Sequence, residues 1–244
     1  MTPHRVFIVG HEGTTGLRIH ERLSDRKDIE LLATADEDRK NVEAIKVVAK
    51  KADLVFLCLP DVASKEIMAA IGDFPCKVID TSTAFRTTAG WAYGFPELGE
   101  SYKTDIATKK HIANPGCHAS GMIACIAPLV KAGLVPVDYP FTITSLTGYS
   151  GGGKKMIDQY ESSPKDYFLY APRQYGLGQE HKHLPEVQHV CGLSEAPIFM
   201  PIVDDYYSGM EVTVGIHSRL CHKPVCIDKV QQTLEYFYKD STIV

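Results

Sequence analysis

The sequence lacks the features of several large classes of protein. Its longest apolar stretches, such as residues 54–60, are far shorter than the roughly 20 residues of a membrane-spanning helix. No block of basic residues is present and the formal net charge is -4, which excludes the electrostatic footprint of a nucleic-acid-binding protein. Internal repeats, low-complexity segments and a signal peptide are also missing. These absences predict a cytoplasmic globular protein with neither a membrane nor a nucleic acid as partner.

Disulfide and zinc frameworks are equally unsupported. The seven cysteines, an odd number, include no CxxC pair of the kind that binds zinc or forms a redox couple. In a reducing compartment such cysteines are buried or reactive thiols. They are Cys58, Cys76, Cys117, Cys125, Cys191, Cys221 and Cys226.

The first hundred residues alternate short apolar runs with amphipathic segments. This alternation predicts parallel βαβ units, with a sheet covered by helices on both faces. It indicates a Rossmann-type α/β domain, which we place at 1–116. The predicted strands lie at 5–10, 29–36, 53–60 and 76–83, and the predicted helices at 15–25, 41–52 and 62–73.

The pattern changes after about residue 117 to longer β-rich runs separated by helices. Residues 212–217, VTVGIH, alternate with period two, which is typical of a sheet with one solvated or interfacial face. We therefore predict a second, α+β domain at 117–244 with a mixed or antiparallel sheet. Its longest runs lie at 141–153 and 208–220, with a helical stretch at 228–240.

Three glycines lie between the first predicted strand and helix, in the stretch GHEGTTG. Gly10, Gly13 and Gly16 suit a turn in which the tight bend, the approach of a phosphate and helix packing each require a missing side chain. Backbone NH groups at the helix start would hold a pyrophosphate, helped by the hydroxyls of Thr14 and Thr15. The spacing departs from GxGxxG by one residue. Glycine-rich βα turns also occur without ligands, but this context favours dinucleotide binding.

The choice between NAD and NADP rests on the residues after the second predicted strand. Asp36 lies where an acid would bind the ribose 2′-OH of NAD, whereas Arg39 and Lys40 could neutralise the 2′-phosphate of NADP. The two signals conflict. The same charged run is also typical of a solvated loop.

Cys117 lies in the stretch NPGCHAS, directly before a predicted helix at 118–133. At a helix N-terminus, the dipole and the unpaired NH groups favour the nucleophilic thiolate. The alternative is a small buried cysteine, which suits Cys58 and Cys125 better, because the neighbours of Cys117 add little apolar surface. Pro128 predicts a kink or a break after Ala127.

The stretch HKHLPEV supplies a base for this thiol. His181 or His183 could transfer protons while Glu186 orients the imidazole, and Pro185 indicates the start of a helix. The HxH spacing also occurs in metal sites, but no third ligand follows at a supporting interval, so we predict no metal. Surface histidines at a helix start are the other alternative.

Taken together, these motifs resemble N-acetyl-γ-glutamyl-phosphate reductase, specifically its shorter type, within the semialdehyde dehydrogenase superfamily. The similarity covers the chain from end to end. It rests on the stretches VFIVGHEGTTG, VIDTSTAFRTTAGWAYGFPEL, NPGCHAS, TGYSGGGK, YGLGQEHKHLPE and YYSGMEVTV.

The resemblance implies an NADP-dependent, two-domain enzyme of arginine biosynthesis that reduces the acyl phosphate to a semialdehyde. Cys117 matches the nucleophile, which would expel phosphate and form a thioester. His183 matches the residue that exchanges a proton with the thiohemiacetal, beside Glu186, with His181 as the alternative. A homodimer or homotetramer is expected.

The resemblance also implies residues that bind the cofactor and the substrate. Ser82 would contact the cofactor. Arg86 would clamp a phosphate or carboxylate, and Ser150 with Gly151 would offer a hydroxyl and backbone NH groups. An exposed ion pair of Arg86 and a flexible turn at 151–153 are the alternatives.

The chain departs from the family at its end, since members continue with a segment that returns to the cofactor domain. Truncation would expose apolar sheet surface and leave the nicotinamide pocket incomplete. Two other functions are therefore considered: an enzyme resembling aspartate-semialdehyde dehydrogenase, and a non-catalytic nucleotide-binding protein.

Overall fold

The computed structural model describes residues 2–244, which divide into two compact units. The first contains the chain up to Pro96 together with Ser101–Pro115, and the second contains Glu97–Glu100 together with Gly116–Val244. The functional roles given to the two halves of the sequence remain predictions.

The first unit is built from alternating strands and helices. Its parallel sheet has the strand order β2-β1-β3-β4-β6-β5. The Rossmann-type fold predicted from the alternation is thus confirmed. The elements are β1 His4–Val9, α1 Thr14–Ser24, β2 Ile29–Leu32, α2 Val42–Ala49, β3 Leu54–Leu57, α3 Asp61–Ile71, β4 Lys77–Asp80, β5 Ala92–Tyr93, α4 Glu100–Thr108 and β6 His111–Ala113.

Burial explains why the short apolar runs form central strands. The last four residues of β1 are all buried, which means that both faces of this strand are covered, and β1 pairs with β2 at one edge and with β3 at the other. Ile45 and Ala49 of α2 and Ile67 and Ile71 of α3 pack into the same core. The carboxyl ends of these strands carry the glycine turn and the segment after β4, and ligands of such folds bind at that edge.

The second unit contains a four-stranded sheet of order β10-β7-β9-β8. It is mixed, since β7 and β9 are parallel and the two outer pairs are antiparallel. Its elements are α5 Cys117–Lys131, β7 Thr142–Gly148, α6 Lys154–Glu161, β8 Arg173–Gln174, α7 Leu184–Cys191, β9 Ile198–Asp204, β10 Met210–Gly215 and α8 Ile227–Tyr238.

Some predicted boundaries were wrong. The strand expected at 29–36 ends at Leu32, and Asp36 opens a 3-10 helix instead of closing β2. The run at 141–153 leaves β7 at Gly148 and continues as a 3-10 helix, because the backbone NH groups of residues 148–150 bond to carbonyl groups of the loop at 206–209. No helix within residues 2–244 combines the length and the apolar character needed to cross a bilayer.

Helix α5 does not break after Ala127. It continues through Pro128 to Lys131, so the break was wrong, whereas the kink that was the other expected outcome stays a prediction. Pro128 cannot donate to the carbonyl of Ala124, four residues earlier. The hydroxyl of Tyr238, the last residue of α8, donates to that carbonyl at 2.9 Å and replaces the missing donor. A side chain more than a hundred residues away thus satisfies the acceptor that the proline leaves.

We expect Tyr238→Phe to lower the free energy of unfolding by about 1–2 kcal/mol, because the half-buried Ala124 carbonyl loses the donor that Tyr238 supplies. Chemical denaturation measures this change. Tyr236→Phe is the matched control, since Tyr236 lies on the same helix and is 73% exposed; its effect should stay within about 0.5 kcal/mol. Equal effects of the two variants would contradict this account of how α5 tolerates Pro128.

Candidate active site

Cys117 is the first residue of helix α5, as the sequence predicted. Gly116 forms the N-cap in an extended conformation and contributes no side-chain hydrogen bond to the helix start. The residue is exposed. Cys191, by contrast, is buried, and burial raises the pKa of its thiol to about 12. Cys117 is therefore accessible to a substrate and lies at the N-terminal, positive end of a helix dipole. These are the two conditions that a nucleophilic thiol requires.

Glu186 fixes the turn that carries this cysteine. It lies in the first turn of α7, after Pro185, and is 2% exposed. Its Oε1 accepts a hydrogen bond from the backbone NH of Gly116 at 2.8 Å. We predicted from the sequence that Glu186 orients a histidine. The bond to the residue before Cys117 could not be foreseen, because the two residues are 70 positions apart in the chain.

The histidines of the HxH stretch lie against the first turn of α5. The rings of His181 and His183 are 4.8 Å apart, and the backbone NH of His183 donates to Nδ1 of His181 at 3.3 Å. The ring of His118, the residue after Cys117, lies 5.6 Å from His181 and 5.7 Å from His183. The structure thus brings residues 116–118 and the HKHLPE stretch into one cluster.

Electrostatics in this cluster favour neutral imidazoles. Burial, with a smaller contribution from the charge on Lys182, lowers the pKa of His181 below its usual value. Burial, followed by interaction with His181, lowers the pKa of His118 from 6.5 to about 4. A neutral imidazole near neutral pH can accept a proton, as a general base must.

Three residues of the cluster were not singled out by the sequence. His118 is 3% exposed, and its Nδ1 and Nε2 lie 2.8 Å from the Ser145 hydroxyl and the Tyr175 hydroxyl, respectively. Burial and the charge at Cys117 raise the pKa of Tyr175 to about 12. His118 was visible in NPGCHAS, but its two partners come from β7 and from the segment after β8, and no local pattern pairs them.

The glycine-rich segment at 148–153 forms an ordered turn in the same unit. The NH of Ser150 bonds to the carbonyl of Tyr207 at 2.9 Å, so this NH is already committed. A Cβ at Gly151 would meet only the Thr147 hydroxyl oxygen, at 3.4 Å. Gly153 has a φ of +76° and precedes α6, a conformation that favours glycine. The substrate-binding roles of Ser150 and Gly151 remain predictions.

In the first unit, the backbone of the glycine turn requires glycine at positions 10 and 16, whereas Gly13 leaves space beside the turn. Gly10 has a φ of +85°, and a Cβ there would lie 2.4 Å from the Cys58 carbonyl oxygen. A Cβ at Gly16 would lie 2.3 Å from the Gly10 carbonyl oxygen, whereas one at Gly13 would meet nothing closer than 3.5 Å. Gly13 is the N-cap of α1, which runs from Thr14, and no side chain caps the first NH groups of this helix. This arrangement suits a phosphate.

The charged residues after β2 face this turn. Arg39 donates to Glu12, a residue of the turn itself, with 2.6 Å between Nη1 and Oε1. Both side chains are about half exposed. Arg39 therefore lies beside the glycine turn, while Lys40 follows it on the surface.

Ser82 and Arg86 lie on the segment after β4, which a buried carboxylate anchors. Asp80 is fully buried and accepts hydrogen bonds from Ser64 at 2.5 Å and Ser82 at 2.6 Å. The guanidinium of Arg86 donates to the carbonyls of Thr81 at 3.0 Å and Asn114 at 2.9 Å. Arg86 is 9% exposed, so the exposed ion pair considered from the sequence is wrong: its charge holds two backbone segments together.

No group of three or more histidine, cysteine or acidic side chains within residues 2–244 has an arrangement that could hold a metal ion. The cluster around Cys117 consists of a thiol, imidazoles and hydroxyls. An exposed cysteine at a helix start, a buried carboxylate behind its turn and neutral histidines beside it are the groups that thiol-dependent acyl transfer requires.

The comparisons with known proteins assign this fold to a class. The family model "Semialdehyde dehydrogenase, dimerisation domain" matches residues 117–244, and "Semialdehyde dehydrogenase, NAD binding domain" matches residues 5–105. Aspartate semialdehyde dehydrogenase II from Vibrio cholerae superposes with a TM-score of 0.70 at 17% identity, over 97% of this chain and 79% of that one. The two units thus have the semialdehyde dehydrogenase fold.

Curated relatives narrow the class to one family. N-acetyl-gamma-glutamyl-phosphate reductase 2 of Pseudomonas putida is 44% identical over 96% of this chain and 74% of its own length. N-acetyl-gamma-glutamyl-phosphate reductase of Chelativorans sp. is 46% identical over 90% of this chain and 70% of its own length. The chain belongs to the N-acetyl-γ-glutamyl-phosphate reductase family, which confirms the resemblance stated from its motifs.

Proposed function

We propose that this protein catalyses the NADPH-dependent reduction of N-acetyl-γ-glutamyl phosphate to N-acetylglutamate semialdehyde. The observation that carries the proposal is the exposed Cys117 at the start of α5, beside the histidine cluster. Relatives 44% and 46% identical are named for this reaction. Aspartate semialdehyde dehydrogenases share only the fold, at 14–19% identity.

Cys117 performs the acyl transfer. Its thiolate attacks the acyl carbon, a C–S bond forms, and the C–O bond to phosphate breaks, which releases inorganic phosphate and leaves a thioester. The hydrogen bond from the backbone NH of Gly116 to Glu186 holds the turn that carries Cys117 in place. A thioester carbonyl accepts hydride far more readily than a carboxylate does.

His183 transfers the proton to and from the thiohemiacetal oxygen. Reduction of the thioester produces a thiohemiacetal oxygen that must be protonated, and collapse of that adduct to aldehyde and thiol requires the proton to leave again. His183 is 3% exposed and sits at the start of α7, where its backbone NH bonds to His181. His181 is the alternative proton carrier.

The first unit holds the cofactor. NADPH, when bound, supplies the hydride. The space in front of Gly13 and the uncapped start of α1 fit a pyrophosphate, with Thr14 and Thr15 beside it. Gly10 and Gly16 shape the turn, and Ser82, anchored by Asp80, lies on the segment that follows β4 at the binding edge of the sheet.

The substrate carries phosphate and carboxylate charges, which Arg86 and the turn with Ser150 and Gly151 would receive. The bonds from Arg86 to two carbonyl groups fix its guanidinium on this segment, and its positive charge would attract the phosphate or carboxylate. We further propose a homodimer or homotetramer, because residues 117–244 match the semialdehyde dehydrogenase dimerisation domain. A cytoplasmic location remains a prediction of the sequence.

The test is an assay of the purified protein in both directions. We expect oxidation of NADPH that depends on N-acetylglutamyl phosphate, and, in reverse, reduction of NADP that depends on both the semialdehyde and inorganic phosphate. Aspartyl phosphate and aspartate semialdehyde serve as the competing pair. Turnover confined to the aspartyl compounds, or no turnover with either pair, would overturn the proposal.

Cofactor choice gives a separate prediction, since Arg39 lies beside the glycine turn. We expect Arg39→Ala to raise the KM for NADPH about tenfold and leave the KM for NADH unchanged, because one cation near the 2′-phosphate is lost. Steady-state kinetics with both cofactors measure this. Arg18→Ala, an exposed arginine of α1 paired with Glu21, is the control. An unaltered ratio of the two KM values would show that Arg39 does not select NADP.

A further inference from the structure

The ring of His118, the residue after Cys117, is held by hydrogen bonds at both of its nitrogens. Both of its ring nitrogens have a hydroxyl partner at 2.8 Å, Ser145 at Nδ1 and Tyr175 at Nε2. Because each hydroxyl can donate or accept, the direction of the two bonds depends on which nitrogen carries the proton. That choice can be deduced from burial.

Ser145 decides the direction. Its side chain is fully buried in β7, and His118 is the one hydrogen-bond partner that the structure gives its hydroxyl within residues 2–244. If Nδ1 donated to this oxygen, the hydroxyl proton of Ser145 would be buried without an acceptor, at a cost of about 1–3 kcal/mol. Ser145 therefore donates to Nδ1. A neutral His118 must then carry its proton on Nε2 and donate it to the oxygen of Tyr175.

The direction of these bonds determines where the Tyr175 hydroxyl proton can point. Its oxygen accepts from His118, so its own proton is directed elsewhere. The Tyr175 ring lies 6.1 Å from that of His181 and 6.4 Å from that of His118, and Tyr175 is close enough to Cys117 for the charge there to raise its pKa. The low pKa of His118, about 4, and the high pKa of Tyr175, about 12, keep both groups in the protonation states this requires near neutral pH.

We propose that His118 is a positioning residue which, locked as the Nε2–H tautomer by Ser145, turns the Tyr175 hydroxyl proton toward the adduct formed on Cys117. Tyr175 then donates a hydrogen bond to the oxygen that becomes negatively charged when the thioester is reduced. A donor fixed before the reaction stabilises this charge without reorganisation. The proposal rests on the proposed function, which identifies the adduct.

The tautomer is tested directly, without any turnover, by NMR of the protein labelled with nitrogen-15 in histidine. We expect His118 to show the pattern of a neutral Nε2–H ring between pH 6 and 8. His118→Gln assigns the signal by removing it. An Nδ1–H pattern, or a charged ring in this range, overturns the proposal whatever the enzyme does.

Kinetics test the role of Tyr175. We expect Tyr175→Phe to lower kcat about a hundredfold, with little change in the KM of the acyl phosphate. Ser145→Ala should lower kcat at least tenfold, although Ser145 bonds to His118 and not to Tyr175. His118→Gln, whose amide can still donate to Tyr175, should stay within about threefold of the parent, whereas His118→Phe should not.

A double-variant cycle separates this role from a loss of packing. In the Tyr175→Phe background, Ser145→Ala should have no further effect on kcat, because its influence passes through the Tyr175 hydroxyl. Losses that multiply would overturn the proposal. The rate at which iodoacetamide alkylates Cys117 in these variants is measured by peptide mass spectrometry. A fall in this rate as large as the fall in kcat would also overturn the proposal, since it would indicate a collapsed site.

Failure of the inference and failure of the proposed function give different results. If Cys117→Ala keeps its turnover, the thioester route is wrong. If Cys117 is essential but Ser145→Ala and Tyr175→Phe are fully active, the route stands and the role of His118 is wrong. Melting temperatures of all variants confirm that folded proteins are compared.

Discussion

Cys117→Ala should lower kcat by about 10⁴-fold or more. Without the thiol, no thioester forms, and hydride transfer would have to act on the acyl phosphate directly. The substitution removes an exposed sulfur at the first position of α5, where alanine is a good helix former, so the free energy of unfolding should hardly change. Initial rates in both directions and a melting curve measure the two effects.

Cys125→Ala is the matched control for this experiment. Cys125 lies on the same helix, and burial raises the pKa of its thiol, which keeps it protonated and inert. We expect full activity from this variant, with at most a modest loss of stability from the missing sulfur. Turnover of Cys117→Ala within tenfold of the parent would contradict the covalent mechanism, whatever the control shows.

His183→Asn should lower kcat by about 10²–10⁴-fold, the range over which a positioned acid or base contributes. Asparagine keeps a polar side chain at the start of α7 but cannot carry the proton of the thiohemiacetal. The pH profile supplies a second readout: the limb of the kcat profile that reports the acid or base should flatten in this variant. Stopped-flow measurement of hydride transfer isolates the affected step.

His181→Asn distinguishes the two histidines. His181 is only partly buried, and its Nδ1 accepts from the backbone NH of His183, so its removal should disturb the orientation of His183 without replacing its chemistry. We expect a loss of about tenfold and an unchanged pH profile. If His181→Asn produces the larger loss and flattens the profile, His181 carries the proton and the assignment to His183 is wrong.

The sequence was informative wherever function depended on residues close together in the chain. The glycine turn, the start of α5 at Cys117 and the start of α7 near Pro185 were all predicted, because turn geometry and helix capping are local properties. The alternation of strands and helices predicted the parallel sheet for the same reason, since each element carries its own period.

The sequence was wrong where a distant group changed the local balance. Pro128 ends helices in general, yet α5 continues because Tyr238 donates to the carbonyl of Ala124. For Arg86, only the alternative of an exposed ion pair is wrong, since the side chain is buried and binds the carbonyls of Thr81 and Asn114; the clamp stays a prediction. Neither partner could be inferred, since nothing in a local pattern specifies which backbone groups tertiary packing will leave without a donor.

By itself, the sequence determined the Rossmann-type unit, the family and the thiol at a helix start, because these follow from periodicity, turn chemistry and short motifs. The tertiary structure alone decided what surrounds that thiol. Glu186 reaches Gly116, and Ser145 and Tyr175 fix the two nitrogens of His118, through bonds between residues 27 to 70 positions apart. Burial then sets the protonation states on which the chemistry depends, and burial is a property of the packed chain, not of any segment of it.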